Sequence, residues 1–157
     1  MEVADRVVLI TGASSGVGAA LATHLADMGA RVVVNYSRSA EAAEAVVERS
    51  TGAGGQALAV QADVSEEADC KRLVATTVEH FGQLDVLVNN AGTTTFVPHD
   101  QLDALTEDIW LRTLRVNLIG AFMMSREAAP HIEAGGGGEI VMTSSIASMT
   151  ANGSSIA

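Results

Sequence analysis

A glycine-rich stretch near the beginning of the chain carries the strongest chemical signal in the sequence. It reads Thr-Gly-Ala-Ser-Ser-Gly-Val-Gly over residues 11–18, between a run of β-branched residues and a segment with helical apolar spacing. Glycines at such a turn permit positive φ angles and allow a phosphate to approach the backbone closely. The free amide groups and the dipole of a helix N-terminus also attract an anion. The stretch therefore predicts a pyrophosphate-binding turn, with a tight turn that binds no ligand as the alternative.

The same residues fit a second chemistry. Residues 12–16 match the G-x-S-x-G pattern of the nucleophile elbow of hydrolases, which also lies at a strand-to-helix turn. Such an elbow requires an oxyanion loop from an earlier strand, and only ten residues precede Thr11. It also requires a downstream histidine, and His80, His99 and His131 do not lie in recognisable loops after strands. Phosphate binding is therefore favoured over hydrolysis.

Hydroxyl residues follow the last predicted strand. Thr143, Ser144 and Ser145 come directly after the apolar run at residues 139–142. Ligands of open parallel sheets bind outside the carboxyl ends of the strands. These hydroxyls are therefore candidates for substrate contact, with a cap at the end of the strand as the alternative.

The spacing of apolar residues predicts the elements that must position these groups. Strands are predicted over residues 6–10, 31–35, 56–61, 85–88 and 139–142, and helices over 17–28, 39–49, 65–80, 102–114 and 118–132. Ser65 is expected to cap the third helix, and Gly29 and Gly82 are expected to end the first and third. Strands that alternate with helices predict an α/β fold, namely a Rossmann-like doubly wound parallel sheet in three αβα layers. We expect one domain over residues 1–157, incomplete at its C-terminal end after about the fifth strand, because residues 151–157 contain no terminating element.

The composition narrows the possible partners. The 157-residue chain has a net charge of −10, and an acidic surface repels phosphate backbones, so we expect no nucleic-acid partner. No apolar stretch approaches the roughly 20 residues that span a membrane, and the N-terminus does not resemble a signal or transit peptide. Cys70 is the only cysteine, which favours a reducing, cytoplasmic location. No metal site is predicted.

Two motifs together resemble the short-chain dehydrogenase/reductase family. They are the glycines of the first turn and the Asn-Asn-Ala-Gly stretch over residues 89–92. The resemblance covers the whole chain, and residues 32–36 with Val116 and Asn117 are most similar to the 3-oxoacyl-(acyl-carrier-protein) reductase-like members. It implies reversible hydride transfer between a nicotinamide cofactor and a small-molecule carbonyl or secondary alcohol.

The resemblance also implies roles for individual cofactor-binding residues. Asp63 would accept a hydrogen bond from the adenine amine, although a residue that caps the following helix is the alternative. Asn89 would stabilise the central sheet and border the adenine ribose. The full set of implied cofactor-binding residues is Gly12, Ser14, Ser15, Gly16, Val17, Gly18, Tyr36, Ser37, Arg38, Asp63, Val64, Asn89, Ala91 and Gly92.

Two residues are implied in catalysis. Asn117 would hold a water of the proton relay through its main chain, and Ser145 would hydrogen-bond the carbonyl oxygen as charge develops there. The family's spacing from catalytic serine to tyrosine, counted from Ser144, falls on Ala157. Counted from Ser145, it falls one position beyond the chain. Ser145 is therefore favoured as the catalytic serine.

The family's Tyr-x-x-x-Lys pair has no counterpart in these 157 residues. The only tyrosine is Tyr36, at the adenosine end of the implied site, and the only lysine is Lys71. Since an unperturbed tyrosine has a pKa of about 10, it is a poor base near neutral pH without such a lysine. We therefore expect that the chain alone does not catalyse carbonyl reduction. A non-catalytic dinucleotide-binding fragment or module is the alternative function.

The residues after the second predicted strand bear on cofactor choice. An acidic residue there would bind the ribose 2′-hydroxyl of NAD and repel a 2′-phosphate, but residues 35–38 contain none. Arg38 can pair with a phosphate through two hydrogen bonds. The sequence therefore favours NADP over NAD, with a solvated loop arginine as the alternative.

The helix predicted over residues 118–132 bears on assembly. Its apolar residues cover more than one face, which is more than contact with one sheet requires. In the resembled family this helix packs against a partner subunit. We expect a homodimer or homotetramer when the protein is complete, unless a further part of the same chain covers the face.

Overall fold

The fold is a five-stranded parallel sheet with helices on both faces, seen in a computed structural model that describes residues 2–52, 54–150, 153 and 156–157. Every strand pair is parallel, and the strand order is β3-β2-β1-β4-β5. The order changes direction at β1, between β2 and β4, so the sheet is doubly wound as predicted. The strands are β1 (Val7–Ile10), β2 (Arg31–Tyr36), β3 (Gln56–Gln61), β4 (Val86–Asn89) and β5 (Glu139–Met142).

The helices lie between the strands in the predicted order. Gly29 and Gly82 both adopt positive φ angles just past the first and third helices, so both predicted stops are confirmed. The second helix continues through Gly52, further than residue 49. The α-helices are α1 (Gly16–Asp27), α2 (Ala40–Gly52), α3 (Glu67–Phe81), α4 (Glu107–Leu114), α5 (Ala121–Ala134) and α6 (Ala147–Thr150).

The core forms two layers because the central strands are apolar on both faces. All four residues of β1 are buried. Val8 and Ile10 face the small residues of α1 and α2, while Val7 and Leu9 face α3 and α5. Small, branched side chains on both faces are typical of parallel strands covered by helices. The three-layer αβα prediction is confirmed.

The segment from residue 102 to residue 134 differs from the predicted pair of helices with a break. A 3-10 turn at Leu102–Ala104 precedes α4, and a π-helical stretch, Arg115–Gly120, joins α4 directly to α5. A Cβ on Gly120 would lie 2.7 Å from the carbonyl oxygen of Val64. The glycine therefore allows this helical segment to approach the loop after β3.

The start of α3 also differs from the prediction. Ser65 does not cap this helix, which begins at Glu67 after Glu66. The Ser65 hydroxyl instead donates to Asp63 Oδ1 at 2.7 Å, and its backbone amide donates to the same oxygen at 3.0 Å. Asp63 and Ser65 thus form a short Asx turn, and the Ser65 side chain is not available to cap the helix because it bonds to Asp63.

Strand β5 is an exposed edge of the sheet. All four of its residues are exposed, with Ile140 at 38% and Met142 at 55%. An apolar groove of about 210 Å³ lies between α1 and strands β1, β4 and β5. Most of the 151–157 segment, for which no terminating element was predicted, lies outside the described residues. No helix of the described ranges is long and apolar enough to cross a membrane.

Candidate functional site

A cleft of about 580 Å³ opens beyond the carboxyl ends of strands β1 to β4, where an open parallel sheet binds its ligands. Ten of the predicted site residues line it: Gly12, Ser14, Ser15, Tyr36, Ser37, Arg38, Asp63, Val64, Ala91 and Gly92. Six others do not: Gly16, Val17, Gly18, Asn89, Asn117 and Ser145. The residues after the first four strands are thus brought together, while Ser145, three residues beyond β5, is not among the residues that line the cleft.

The glycine-rich turn fits against the turn after β4. Gly12 has a φ of 63°, and a Cβ there would lie 2.8 Å from Ala91 Cα. A Cβ on Gly18, inside α1, would lie 2.5 Å from Asn90 Nδ2 and 2.9 Å from the Gly12 carbonyl oxygen. Gly16 has a φ of 57° and open space around it. Gly12 and Gly18 are therefore required for close packing, and Gly16 for its backbone conformation.

Asn90 joins the glycine-rich turn to the turn after β4 through hydrogen bonds, although it is not among the cofactor-binding residues that the resemblance implied. Its Nδ2 donates to the carbonyl oxygens of Thr11 at 2.9 Å and Gly12 at 3.2 Å. In return, the Thr11 hydroxyl oxygen accepts hydrogen bonds from the backbone amides of Asn90 and Ala91, both at 3.0 Å. Its place as the second asparagine of the Asn-Asn-Ala-Gly stretch is the sequence feature that could have identified it.

Asn35, at the end of β2, is a second positioning residue that the sequence did not reveal. It is buried, and its Oδ1 accepts the backbone amide of Gly12 at 3.1 Å. Its Nδ2 donates to the carbonyl oxygens of Val60 at 3.2 Å and Ala62 at 3.0 Å. One amide side chain therefore holds the glycine-rich turn in register with the end of β3. An asparagine that follows an apolar run within a strand was the signal, because a buried amide requires partners.

Asn89, the last residue of β4, connects the sheet to α5. It is buried, and its Nδ2 donates to the hydroxyl of Ser125 on α5 at 3.0 Å. Its backbone carbonyl accepts the amide of Thr143 at 2.9 Å. The side chain thus joins β4 to α5, in keeping with the expected stabilising role in the sheet. Asn89 is not among the residues that line the cleft, and its place beside the adenine ribose stays a prediction.

Asp63 is an ionised acceptor at the cleft. The hydrogen bond from the Ser65 hydroxyl is the largest influence on its carboxyl group and lowers the pKa. Partial burial raises the pKa, but the Ser65 backbone amide and the charges of Arg112 and Arg38 lower it, so the net shift is downward. Both hydrogen bonds from Ser65 end on Oδ1. Asp63 therefore both builds the turn before α3 and presents a carboxylate to the cleft.

Two arginines from different parts of the fold line the cleft. Of the described residues that line it, the charged ones are Arg38, Asp63 and Arg112. The loop that carries Arg38 is fixed to β3, because Gln61 Nε2 donates to the Ser37 carbonyl oxygen at 3.0 Å. No carboxylate follows β2 in this loop. The loop after β2 can therefore offer Arg38 to a phosphate without a carboxylate of its own, and the acid of the cleft, Asp63, lies in the loop after β3.

The two residues implied in catalysis lie on different elements. Asn117 is in the π-helical stretch, where its Oδ1 accepts the Thr93 amide at 2.7 Å and its Nδ2 donates to the Thr93 carbonyl at 2.9 Å. Its side chain thus fixes the loop that follows Gly92, and π-helical turns are frequent at functional sites. Ser145 is exposed beyond β5, and its Oγ accepts the Ala147 amide at 3.1 Å.

Comparison with known proteins gives a family for this fold and cleft. The family model for short chain dehydrogenases matches residues 6–157. A protein of Streptomyces violaceoruber, named as a ketoacyl reductase of the granaticin polyketide synthase, is 50% identical over 150 residues. That match covers 96% of this chain and 59% of the relative. Versicolorin reductase 1 of Aspergillus parasiticus is 46% identical over 140 residues, with 89% of this chain and 52% of the relative covered.

Solved structures agree with these relatives. A short chain dehydrogenase from Burkholderia cenocepacia in complex with NADP superposes with a TM-score of 0.88 at 38% identity, over 98% of this chain and 61% of that one. A short-chain dehydrogenase/reductase from Serratia marcescens gives 0.81 at 40% identity, over 90% and 56%. The chain belongs to the short-chain dehydrogenase/reductase family, as the two motifs indicated. It spans little more than half the length of the two curated relatives described above.

Proposed function

We propose that this chain is the NADP(H)-binding domain of a carbonyl reductase that acts on 3-oxoacyl-type or related ketone substrates and runs reversibly toward the secondary alcohol. The cleft carries the proposal, because it joins a glycine-rich turn to a loop with Arg38 and no acid. The ketoacyl and versicolorin reductases among its relatives, and the neighbour solved with NADP, support the same chemistry. In this proposal the domain covers residues 1–157 and is completed by further residues of a longer protein.

The residues at the cleft fit a dinucleotide. The turn at Gly12 and Ser14 would hold the pyrophosphate together with the first amides of α1, where backbone N–H groups and the helix dipole favour an anion. Asp63 would accept the adenine amine, and Arg38 would pair with the 2′-phosphate of NADP. The bound nicotinamide supplies the hydride chemistry.

The chain's own hydroxyl and amide groups have distinct parts in this proposal. The Ser145 hydroxyl would donate a hydrogen bond to the substrate carbonyl oxygen, an interaction that strengthens as negative charge develops there. Asn117 would hold a water in the proton relay through its main chain, while its side chain keeps the loop after Gly92 in place through Thr93.

A non-catalytic dinucleotide-binding module is the second candidate function. The only tyrosine, Tyr36, lines the cleft beside Arg38, and the only lysine, Lys71, lies on α3. In this proposal neither residue serves as the acid–base partner of Ser145. Positioned acid–base groups typically contribute about 10²–10⁴-fold to a rate. We accordingly propose that the 157-residue chain binds cofactor but does not turn over by itself.

Two further proposals concern the complete protein. The helical segment from α4 to α5 exposes a row of large apolar side chains, among them Leu118 at 62% and Phe122 at 61%. An exposed apolar row of this kind marks an interface, and we propose that it forms the contact of a homodimer or homotetramer. A cytoplasmic location is favoured by the single cysteine, Cys70.

Cofactor titration tests the proposed function. The chain should bind NADPH more tightly than NADH, and Arg38→Ala should weaken NADPH binding at least tenfold while leaving NADH binding within about twofold, since a charged pair with phosphate is worth about 1.5–3 kcal/mol. Arg49→Ala, an exposed arginine on α2, is the matched control. Equal losses for the two cofactors would overturn the assignment of Arg38. NADPH oxidation by the same chain with a simple 3-oxoacyl ester would overturn the proposed lack of turnover.

A further inference from the structure

Arg112 brings a guanidinium group to the cleft from a helix. It lies on α4, whereas Arg38 and Asp63 lie in loops at strand ends. The chain has only nine lysines and arginines against nineteen acidic residues. Two arginines at one cleft are therefore a local exception to the acidic surface, and only Arg38 has a role in the proposed function.

Arg112 and Arg38 reach the cleft from different elements, and Asp63 comes from a third. The loops that carry Arg38 and Asp63 follow β2 and β3, which are neighbouring strands. From the other side, the helical segment that begins at α4 approaches the loop after β3, where Gly120 lies against the Val64 carbonyl. Val64 and Val116 are both buried and line the cleft beside Arg112. The cleft thus combines one carboxylate with two buried valines and two arginines.

Arg112 is free to turn toward a ligand. Its residue is exposed, and among the described residues the ion pairs of arginines involve Arg6, Arg72 and Arg126 but not Arg112. The charge of Arg112 nevertheless reaches Asp63, since after the hydrogen bonds from Ser65 it contributes to the lowered pKa of that carboxyl group. A ligand that contacts Asp63 therefore lies within reach of the guanidinium group.

We propose that Arg112 is an adenine-binding residue whose guanidinium plane stacks on one face of the base while Asp63 accepts the amine at its edge. This inference rests on the proposed cofactor function. A guanidinium group is planar and weakly hydrated, and it stacks readily on aromatic faces. Since both hydrogen bonds from Ser65 occupy Oδ1 of Asp63, the second carboxylate oxygen remains for the amine. Val64 and Val116 provide apolar surface for the base.

Two probes separate this role from phosphate recognition. ADP-ribose and 2′-phospho-ADP-ribose both carry the adenine and the pyrophosphate, and only the second carries the phosphate assigned to Arg38. Arg112→Gln should weaken binding of both probes by a similar factor, about threefold to tenfold. Arg38→Ala should weaken only 2′-phospho-ADP-ribose. Arg115→Gln is the matched control, because this exposed arginine lies one turn further along the same helical segment and does not line the cleft.

Arg112→Lys distinguishes stacking from charge alone. Lysine keeps the positive charge but lacks the plane, so stacking predicts that it restores little of the affinity for either probe. Full restoration by lysine, an unchanged affinity in Arg112→Gln, or a loss confined to 2′-phospho-ADP-ribose would each overturn the adenine role. If the unsubstituted chain bound neither probe in equilibrium titrations, the proposed cofactor function would fail together with this inference. Far-UV circular dichroism of each variant verifies that the exposed substitutions leave the fold intact.

Discussion

The contact between Gly18 and Asn90 makes a substitution at Gly18 a sensitive test of how the cleft is built. In Gly18→Ala, the new Cβ would lie 2.5 Å from Asn90 Nδ2, 2.9 Å from the Gly12 carbonyl oxygen and 3.0 Å from Ala13 Cα. The first neighbour is a side chain that can move, but the other two are backbone. Asn90 must therefore leave, and its hydrogen bonds to Thr11 and Gly12 are lost.

The expected cost follows from these contacts. Two lost hydrogen bonds cost about 1 kcal/mol each, and overpacking against the backbone costs about 1–3 kcal/mol. Replacing glycine by alanine inside a helix returns about 0.5–1 kcal/mol. We expect a net loss of about 2–4 kcal/mol in the free energy of unfolding. A domain whose free energy of unfolding is about 5–15 kcal/mol remains folded after such a loss. NADPH affinity should fall as well, because the displaced backbone forms the proposed phosphate-binding turn.

Urea unfolding of four variants measures this effect. Gly52→Ala is the matched control, since a Cβ at this last position of α2 meets nothing within 4 Å. Asn90→Ala alone should cost about 2 kcal/mol through its hydrogen bonds. The loss of unfolding free energy in the double variant Gly18→Ala/Asn90→Ala should then be smaller than the sum of the two single losses by about 1–2 kcal/mol. Strict additivity, or a Gly18→Ala protein as stable as the Gly52→Ala control, would refute the reasoning.

Two further predictions concern stability and assembly. Burial raises the pKa of Asp85, but hydrogen bonds from the Val7 amide, Arg6 and Gln83 outweigh it and lower the pKa. Asp85→Asn should therefore cost about 2–3 kcal/mol at pH 7. A carboxyl group whose pKa is lowered by folding stabilises the folded state at pH values above its unfolded pKa of about 3.9. The difference in unfolding free energy between Asp85→Asn and the unsubstituted protein should therefore shrink as the pH falls below that value. An equal difference in urea unfolding at pH 7 and pH 3 would contradict this prediction. Sedimentation of the complete protein at micromolar concentration should show a dimer or tetramer that Leu118→Glu dissociates, and a monomeric unsubstituted protein would count against the proposed interface.

Much of the fold follows from local patterns in the sequence. The apolar runs of β1 and β2 cannot face water on either side, so alternating helices had to cover both faces. Gly29 and Gly82 lie where the first and third helices were expected to end, and both adopt a positive φ there. The π-helical join at Arg115–Gly120 could not be predicted in this way, because its apolar spacing resembles a break between two helices. It depends on a tertiary contact, the approach of Gly120 to Val64.

The candidate site could be predicted where a local motif defines the backbone conformation. It was harder to predict where a side chain contacts residues that are distant in sequence. Glycines between a strand and a helix indicate a phosphate-binding turn without knowledge of the neighbouring strands. Asn35 and Asn90, in contrast, have partners that are distant in sequence, such as Val60 and Thr11. Asn89 and Asn90 are adjacent and chemically identical. Their residue types do not show that Asn89, the last residue of β4, meets α5 while Asn90, just after the strand, lines the cleft.

The two arginines at the cleft belong to a protein whose net charge is −10, and this contrast has a kinetic consequence. An anionic dinucleotide that approaches from solution first meets the combined repulsion of many distant carboxylates, and it meets the attraction of Arg38 and Arg112 only at short range. The screening length falls from about 30 Å at 0.01 M salt to about 8 Å at 0.15 M. Moderate salt therefore removes most of the distant repulsion and leaves much of the local attraction. Association should accelerate on going from dilute buffer to physiological ionic strength, opposite to the behaviour of phosphate-binding proteins with a positive net charge.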